Sequence, residues 1–223
     1  GFHMNISHRF YLVTFLTCIR IPLVFLFFAG ALVDSIGRSA HPWLFPVSLG
    51  FLIAAAVTDL LDGYCARKLG VTTKLGACAD PLSDKVFYLA TLPLLVFLAA
   101  RNDNTTHAVV LLCLTVSLLL RDQWVSFLRA VGASDGNINL GANWSGKLRT
   151  GLNFPLICAI YLQEGVCSVY LREGTRPPYF AETTVLLYAL EAAALVVNFL
   201  SFFVYTSKYW PHLRKAFAVN PRD

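Results

Sequence analysis

Charge is scarce in this chain. Only 14% of its 223 residues are Asp, Glu, Lys or Arg, against 57% hydrophobic residues and a mean hydropathy of +0.60. A soluble globular domain carries about 25% charged residues, so that class is excluded. The six cysteines (Cys18, Cys65, Cys78, Cys113, Cys158, Cys167) form neither a Cys-x-x-Cys pair nor a Cys/His ligand spacing. They read as buried thiols, with Cys65 and Cys78 alone placed to line a cavity beside acidic residues. His8, His41, His107 and His212 lie near expected membrane edges without a partner at ligand spacing, and read as structural or solvated. Repeats, low-complexity tracts and domain-length linkers are missing. Basic and aromatic residues do not interleave, so the net charge of +5 needs no nucleic acid; cationic helix ends beside anionic headgroups account for it.

What the chain has instead is long apolar runs. Gly1, Phe2 and His3 stand before Met4 and look like residues left by a cloning tag. The first run, near 11–33, is long enough to span a bilayer and lacks a small-residue cleavage site, so it reads as a span rather than a signal peptide. Further runs of about 20 apolar residues fall near 43–66, 81–100, 108–131, 144–169 and 183–205. The expected architecture is all-α and integral to the membrane, with six transmembrane helices in a single domain over 4–223 that ends in a short basic tail. Connections are expected at 34–41, 101–106, 132–143 and 163–181, the last broken by Arg176, Pro177 and Pro178. Trp43, Trp124, Trp144, Tyr205, Tyr209 and Trp210 suit interfacial belts, while Phe25, Phe27 and Phe28 suit lipid contact or packing. The tail over 208–222, basic and carrying Trp210, Leu213 and Phe217, reads either as lying along the membrane surface or as an arm outside it.

Basic residues set the expected orientation. With the N-terminus in the cytoplasm, that side receives Arg9, Arg67, Lys68, Lys74, Arg129, Lys147, Arg149, Lys208, Arg214, Lys215 and Arg222. The other side receives Arg38, Arg101, Arg172 and Arg176. The asymmetry favours this topology, in a bacterial cytoplasmic membrane.

Against this background four aspartates crowd one stretch, Asp59, Asp62, Asp80 and Asp84. Each costs roughly 2.5–3.5 kcal/mol at the centre of a membrane helix, on the order of 10 kcal/mol together, so something must compensate them. Asp59 and Asp62 are three residues apart and Asp80 and Asp84 four, so each pair shares a helix face, and a hairpin turning over 69–75 brings the faces together. Two remedies fit the spacing: ion pairs to Arg67, Lys68 or Lys74, or hard divalent cations such as Mg²⁺ or Mn²⁺ held by all four carboxylates. Gly63 and Ala66 keep the helix surface small enough for a bulky ligand, and Arg67 adds a fork suited to phosphate oxygens. Those parts together suit phosphoryl-type transfer.

Asp59-x-x-Asp62-Gly63-x-x-Ala66-Arg67, eight residues, Gly76, three residues, Asp80, three residues and Asp84 resembles the signature of the CDP-alcohol phosphotransferases at every fixed position. With eight positions at about one in twenty each, a chance match anywhere in a chain this long is on the order of 10⁻⁸. The resemblance implies a six-helix membrane bundle that displaces CMP from a CDP-linked lipid with an acceptor hydroxyl. It also implies two metal ions (Mg²⁺ or Mn²⁺) on Asp59, Asp62, Asp80 and Asp84, with Asp84 as base on the acceptor. Asp62, Gly63, Ala66, Arg67 and Gly76 are implied to bind the CDP moiety. Dimerisation is implied by the resemblance alone.

Outside the signature, the stretch LVTFLTCIRIPLVFLFF, the pair Arg121-Asp122, Arg129, and Trp144-Ser145-Gly146-Lys147-Leu148-Arg149-Thr150 resemble the phosphatidylglycerophosphate synthases. That subfamily takes CDP-diacylglycerol and glycerol 3-phosphate. Arg20, Arg121, Arg129, Lys147 and Arg149 would suit an anionic acceptor as a basic lobe, and Arg121, Arg129, Lys147 and Arg149 are the expected acceptor-phosphate residues. Two departures stand out: Cys78-Ala79 replaces the usual bulky apolar pair, and Arg121-Asp122 replaces Arg-Glu. The second also suits cardiolipin synthases, whose acceptor is phosphatidylglycerol. A transporter would spread its acids over several helices or paired broken helices, whereas here they gather on one hairpin.

Overall fold

In lipid the backbone must satisfy its own N–H and C=O groups, which makes each long apolar run a helix. The computed structural model describes residues 6–37, 43–69, 74–134, 144–172, 174–175 and 180–217. Among them there are six helices and no strand: α1 (Ile6–Gly37), α2 (Leu44–Leu69), α3 (Lys74–Arg101), α4 (Thr105–Ser134), α5 (Trp144–Arg172) and α6 (Phe180–Phe217). Five contain stretches long and apolar enough to cross a membrane, Cys18–Ile36, Leu82–Arg101, Thr105–Ala133, Gly151–Leu171 and Glu182–Arg214; α2 contributes a shorter one, Leu44–Asp59. The protein is an all-α integral membrane protein, as its composition requires.

The outer surface is apolar, unlike that of a soluble domain, and several polar side chains are turned inward among the apolar core. Phe25, Val33, Leu120, Val185 and Phe203 are exposed, whereas Arg20, His107, Arg121, Glu164, Glu191 and Asn198 are buried. Hydroxyls within the spans bond back to their own helices: Thr91 donates to the Phe87 carbonyl, Thr115 to Leu111 and Ser126 to Asp122. Such bonds remove the need for a partner in lipid.

The helices run past several expected connections. The loop expected over 163–181 is helical as far as Arg172, because Gln163 and Glu164 continue the α5 repeat and Glu164 gains buried partners. Between α3 and α4 only residues 102–104 leave the helix. Asp103 takes a left-handed conformation (φ 56°), and Asn104 caps α4 by accepting the His107 N–H at 3.2 Å.

Contacts divide the chain into two units, one of residues 1–109 and 157–178, the other of 110–156 and 179–223. In the first, α1 packs on α2 and α3. Its buried stripe runs Arg20, Val24, Phe27, Ala31, Ser35, three or four residues apart; Ser48, Leu52 and Ala55 repeat the pattern on α2. The next position along that stripe of α2 is Asp59, so helical period alone carries an acidic residue toward the buried seam. Tyr161 of α5 meets the Phe27 ring edge-on at 4.9 Å and Phe45 at 5.5 Å. A Cβ on Gly165 would fall 1.8 Å from Phe45 Cε2, so this helix contact requires glycine.

In the second unit α6 presents Leu187, Glu191, Ala194, Asn198, Ser201, Tyr205, Tyr209 and Leu213 as its buried stripe. Tyr205, Tyr209 and Leu213 cluster with Val125 and Leu128 of α4, with Trp124 and Val131 against them. Up to Phe217 the basic tail prolongs α6, with Leu213 in the core and Trp210 exposed under the Arg214 guanidinium.

Candidate functional site

Asp59 closes the buried stripe of α2, ten residues before that helix ends, and Asp84 lies ten residues after α3 begins. Between them stands Arg20 of α1. A single guanidinium nitrogen, Arg20 Nη1, lies 2.8 Å from Asp59 Oδ1 and 3.0 Å from Asp84 Oδ1. Arg20 is completely buried, and the two carboxylates are 12% and 30% exposed. Two carboxylates from different helices thus converge on one point. Taken by themselves, these three side chains sum to one net negative charge, a sign that suits a cation.

The side chains of Arg67, Lys68 and Lys74, the ion-pair partners considered from the sequence, lie outside the described residues; among the described residues Asp59 pairs with Arg20, which sequence reasoning grouped with the acceptor. A signal was available. An arginine in the middle of an apolar span, in register with Val24, Phe27 and Ala31, needs a carboxylate, and the aspartate hairpin is rich in them.

Asp62, Gly63, Ala66 and Arg67 fall on the last turns of α2, and Gly76 and Asp80 on the first turns of α3, but their side chains lie outside the described residues. Lys147 and Arg149, on the first turns of α5, are in the same position. Among the described residues no group of three His, Cys, Asp or Glu side chains forms a metal cluster. The described part does fit a hard cation: both converging donors are carboxylate oxygens, and their common focus already holds a positive group.

A second constellation belongs to the other unit. Arg121, buried on α4, bonds through Nη1 to Asp122 Oδ1 at 2.9 Å and through Nη2 to the Ser201 hydroxyl. Its guanidinium lies 5.0 Å from the centre of the Tyr205 ring, and that of Arg129 lies 5.6 Å from the same ring. Arg129 Nη2 also donates to the Tyr205 hydroxyl at 3.4 Å. Trp124 Nε1 donates to Thr206 Oγ1 at 2.9 Å, closing the α4–α6 contact. Two of the expected acceptor residues, Arg121 and Arg129, are therefore brought together around one aromatic ring of α6.

His107 does not behave as a solvated edge residue. It is buried, with Nδ1 2.6 Å from Glu164 Oε1, while Asn102 Nδ2 donates to Glu164 Oε2 at 2.7 Å. The cluster ties the α3–α4 turn to α5 within the first unit. Only contact across helices reveals it, since His107 and Glu164 are 57 residues apart.

Comparison with known proteins defines the class. The CDP-alcohol phosphatidyltransferase family profile matches residues 10–200, and the chain belongs to that family. It is similar to the CDP-diacylglycerol–glycerol-3-phosphate 3-phosphatidyltransferase of Haemophilus influenzae, 35% identical over 64% of this chain and 70% of that one. The enzyme of the same name from Treponema pallidum is 26% identical over 90% of each chain. A rice protein named cardiolipin synthase (CMP-forming) is 35% identical over 49% of this chain. The matched stretches span 30% of the rice protein and 53% of the Bacillus subtilis CDP-diacylglycerol–glycerol-3-phosphate 3-phosphatidyltransferase, so this chain corresponds to only part of several relatives.

Proposed function

We propose that this protein is a phosphatidylglycerophosphate synthase, moving the phosphatidyl group of CDP-diacylglycerol to sn-glycerol 3-phosphate with release of CMP. The observation that carries the reading is the convergence of Asp59 and Asp84, both signature residues, on one buried guanidinium nitrogen. In this reading Asp59, Asp62, Asp80 and Asp84 hold Mg²⁺ or Mn²⁺ as a two-metal site. Bound there, the ions would neutralise the pyrophosphate and stabilise the departing phosphate of CMP.

The chain's own residues do the rest. Gly63, Ala66 and Gly76 leave room for the cytidine moiety, and Arg67 takes a phosphate oxygen. Arg121, Arg129, Lys147 and Arg149 hold the acceptor phosphate. Asp84, 30% exposed and so reachable by an acceptor, orients the hydroxyl and takes its proton. The hydroxyl oxygen then bonds to the phosphorus that carries diacylglycerol, and the bond from that phosphorus to the CMP phosphate oxygen breaks. The excess of basic residues at one end of the spans supports a site facing the cytoplasm of a bacterium.

Arg121 and Arg129 around a single ring favour a phosphomonoester, which carries more negative charge than a diester. A second reading, cardiolipin synthesis from phosphatidylglycerol, draws on Asp122: its carboxylate on Arg121 lowers the local positive charge toward what a diester needs. Purified protein given CDP-diacylglycerol with glycerol 3-phosphate, phosphatidylglycerol, inositol phosphate or serine, with and without EDTA, separates the two by CMP release. Metal-dependent release with glycerol 3-phosphate is expected. Turnover with phosphatidylglycerol alone replaces the first reading by the second, and turnover that survives EDTA removes the metal site.

A further inference from the structure

Two cations drawn to one ring are an unusual arrangement beside lipid, because guanidinium groups repel each other and each loses hydration on approach. Arg121 and Arg129 are eight residues apart on α4, slightly more than two turns, and both come within cation–π distance of Tyr205. Tyr205 is 1% exposed and wedged among Val125, Leu128, Tyr209 and Leu213. Its ring stacks on that of Tyr209 with centroids 6.5 Å apart. The ring is thus fixed by the core, and its electron-rich face is a rigid counterweight to both charges. Asp122 and Ser201 also hold Arg121, whereas Arg129 is exposed and on a long flexible stem.

We propose that Tyr205 is a positioning residue for the acceptor: its ring gathers Arg121 and Arg129 into one grip for the phosphomonoester of a small polyol. The inference rests on reading Arg121 and Arg129 as acceptor residues. The ring supplies attraction that does not consume the guanidinium charge; Asp122 already offsets part of that of Arg121, so the ring holds the two groups together without neutralising Arg129 as well. A carboxylate in the same place would neutralise one of them. The role lies in acceptor affinity, and not in the chemistry at the transferred phosphorus.

Ring electronics can be varied at nearly constant shape. Tyr205 is replaced by phenylalanine and, by unnatural amino-acid incorporation, by pentafluorophenylalanine, whose ring face is electron-poor. Steady-state CMP release is then measured against glycerol 3-phosphate and against CDP-diacylglycerol, with thermal unfolding alongside. The Phe variant should keep the acceptor KM within about threefold of the parent, while the fluorinated ring should raise it by about tenfold or more. KM for CDP-diacylglycerol and kcat should stay within about twofold in both. Equal acceptor KM for the two ring variants overturns the proposal, as does a parallel loss in every kinetic parameter that follows a lowered unfolding temperature. An Arg121→Ala control separates the levels. If it leaves the acceptor KM unchanged, the acceptor-site reading fails; if it raises KM while the fluorinated ring does not, only the role of Tyr205 fails.

Discussion

Replacing Arg20 by methionine removes the positive charge from between Asp59 and Asp84 while keeping most of the apolar stem. Breaking a buried ion pair by deleting one partner costs about 3–5 kcal/mol, because the remaining charge has lost both water and counter-ion. Both Arg20 and Asp59 are well buried, so that contact falls in this range, toward its lower end since Asp59 is 12% exposed. Asp84, at 30%, recovers some hydration and adds less than about 1 kcal/mol. The expected loss is therefore about 3–4 kcal/mol, roughly 10 °C in Tm at this chain length. Divalent cations should restore much of it, since they can neutralise the same two oxygens, so the Tm gain on adding Mg²⁺ should be larger in Arg20→Met than in the parent. Arg20→Lys should fall between, because one nitrogen makes both contacts and an ammonium can bridge them. Tryptophan fluorescence during thermal unfolding in detergent, with and without Mg²⁺, measures all three proteins. An unchanged Tm in Arg20→Met, or the same Mg²⁺ response in mutant and parent, would refute the electrostatic account of this seam.

Other substitutions probe other parts. Asp59→Asn should abolish CMP release and weaken Mn²⁺ binding measured by electron paramagnetic resonance; retained turnover would remove Asp59 from the metal ligands. Arg149→Ala should raise the glycerol 3-phosphate requirement about tenfold with kcat nearly unchanged, and a fall in kcat alone would argue against an acceptor contact. Gly165→Ala should cost about 1–3 kcal/mol, since its Cβ would meet the Phe45 ring at 1.8 Å and push that ring against Tyr161; a neutral result in thermal unfolding would show that the seam can yield. His107→Leu should destabilise by about 1–3 kcal/mol by leaving Glu164 Oε1 without its ring partner while Asn102 still holds Oε2, whereas adding Glu164→Leu should return part of the loss, a non-additivity that equal losses in the single and double variants would contradict.

Composition and period alone determined the class of fold. Apolar runs of about 20 residues have one stable form in lipid, a helix with its own hydrogen bonds closed, and that form does not depend on which helix packs against which. Part of the aspartate signature was legible too: the spacing put Asp59 and Asp84 on facing helices, and the structure brings these two to one point, while the side chains of Asp62 and Asp80 lie outside the described residues. Helix ends were read less well. Glu164 fell within both the expected span over 144–169 and the expected connection over 163–181, and it continues α5, where partners from the α3–α4 turn, Asn102 and His107, meet its carboxylate.

Only the tertiary structure decided which charges meet. Arg20 and Arg121 look alike in sequence, each an arginine in or near an apolar span, yet one is drawn between Asp59 and Asp84 and the other onto Asp122, Ser201 and Tyr205. The physical reason is range. Helix period acts over three or four residues, whereas a buried charge is satisfied by whatever lies within about 3 Å in space, here 64 residues away in one case and 80 in the other.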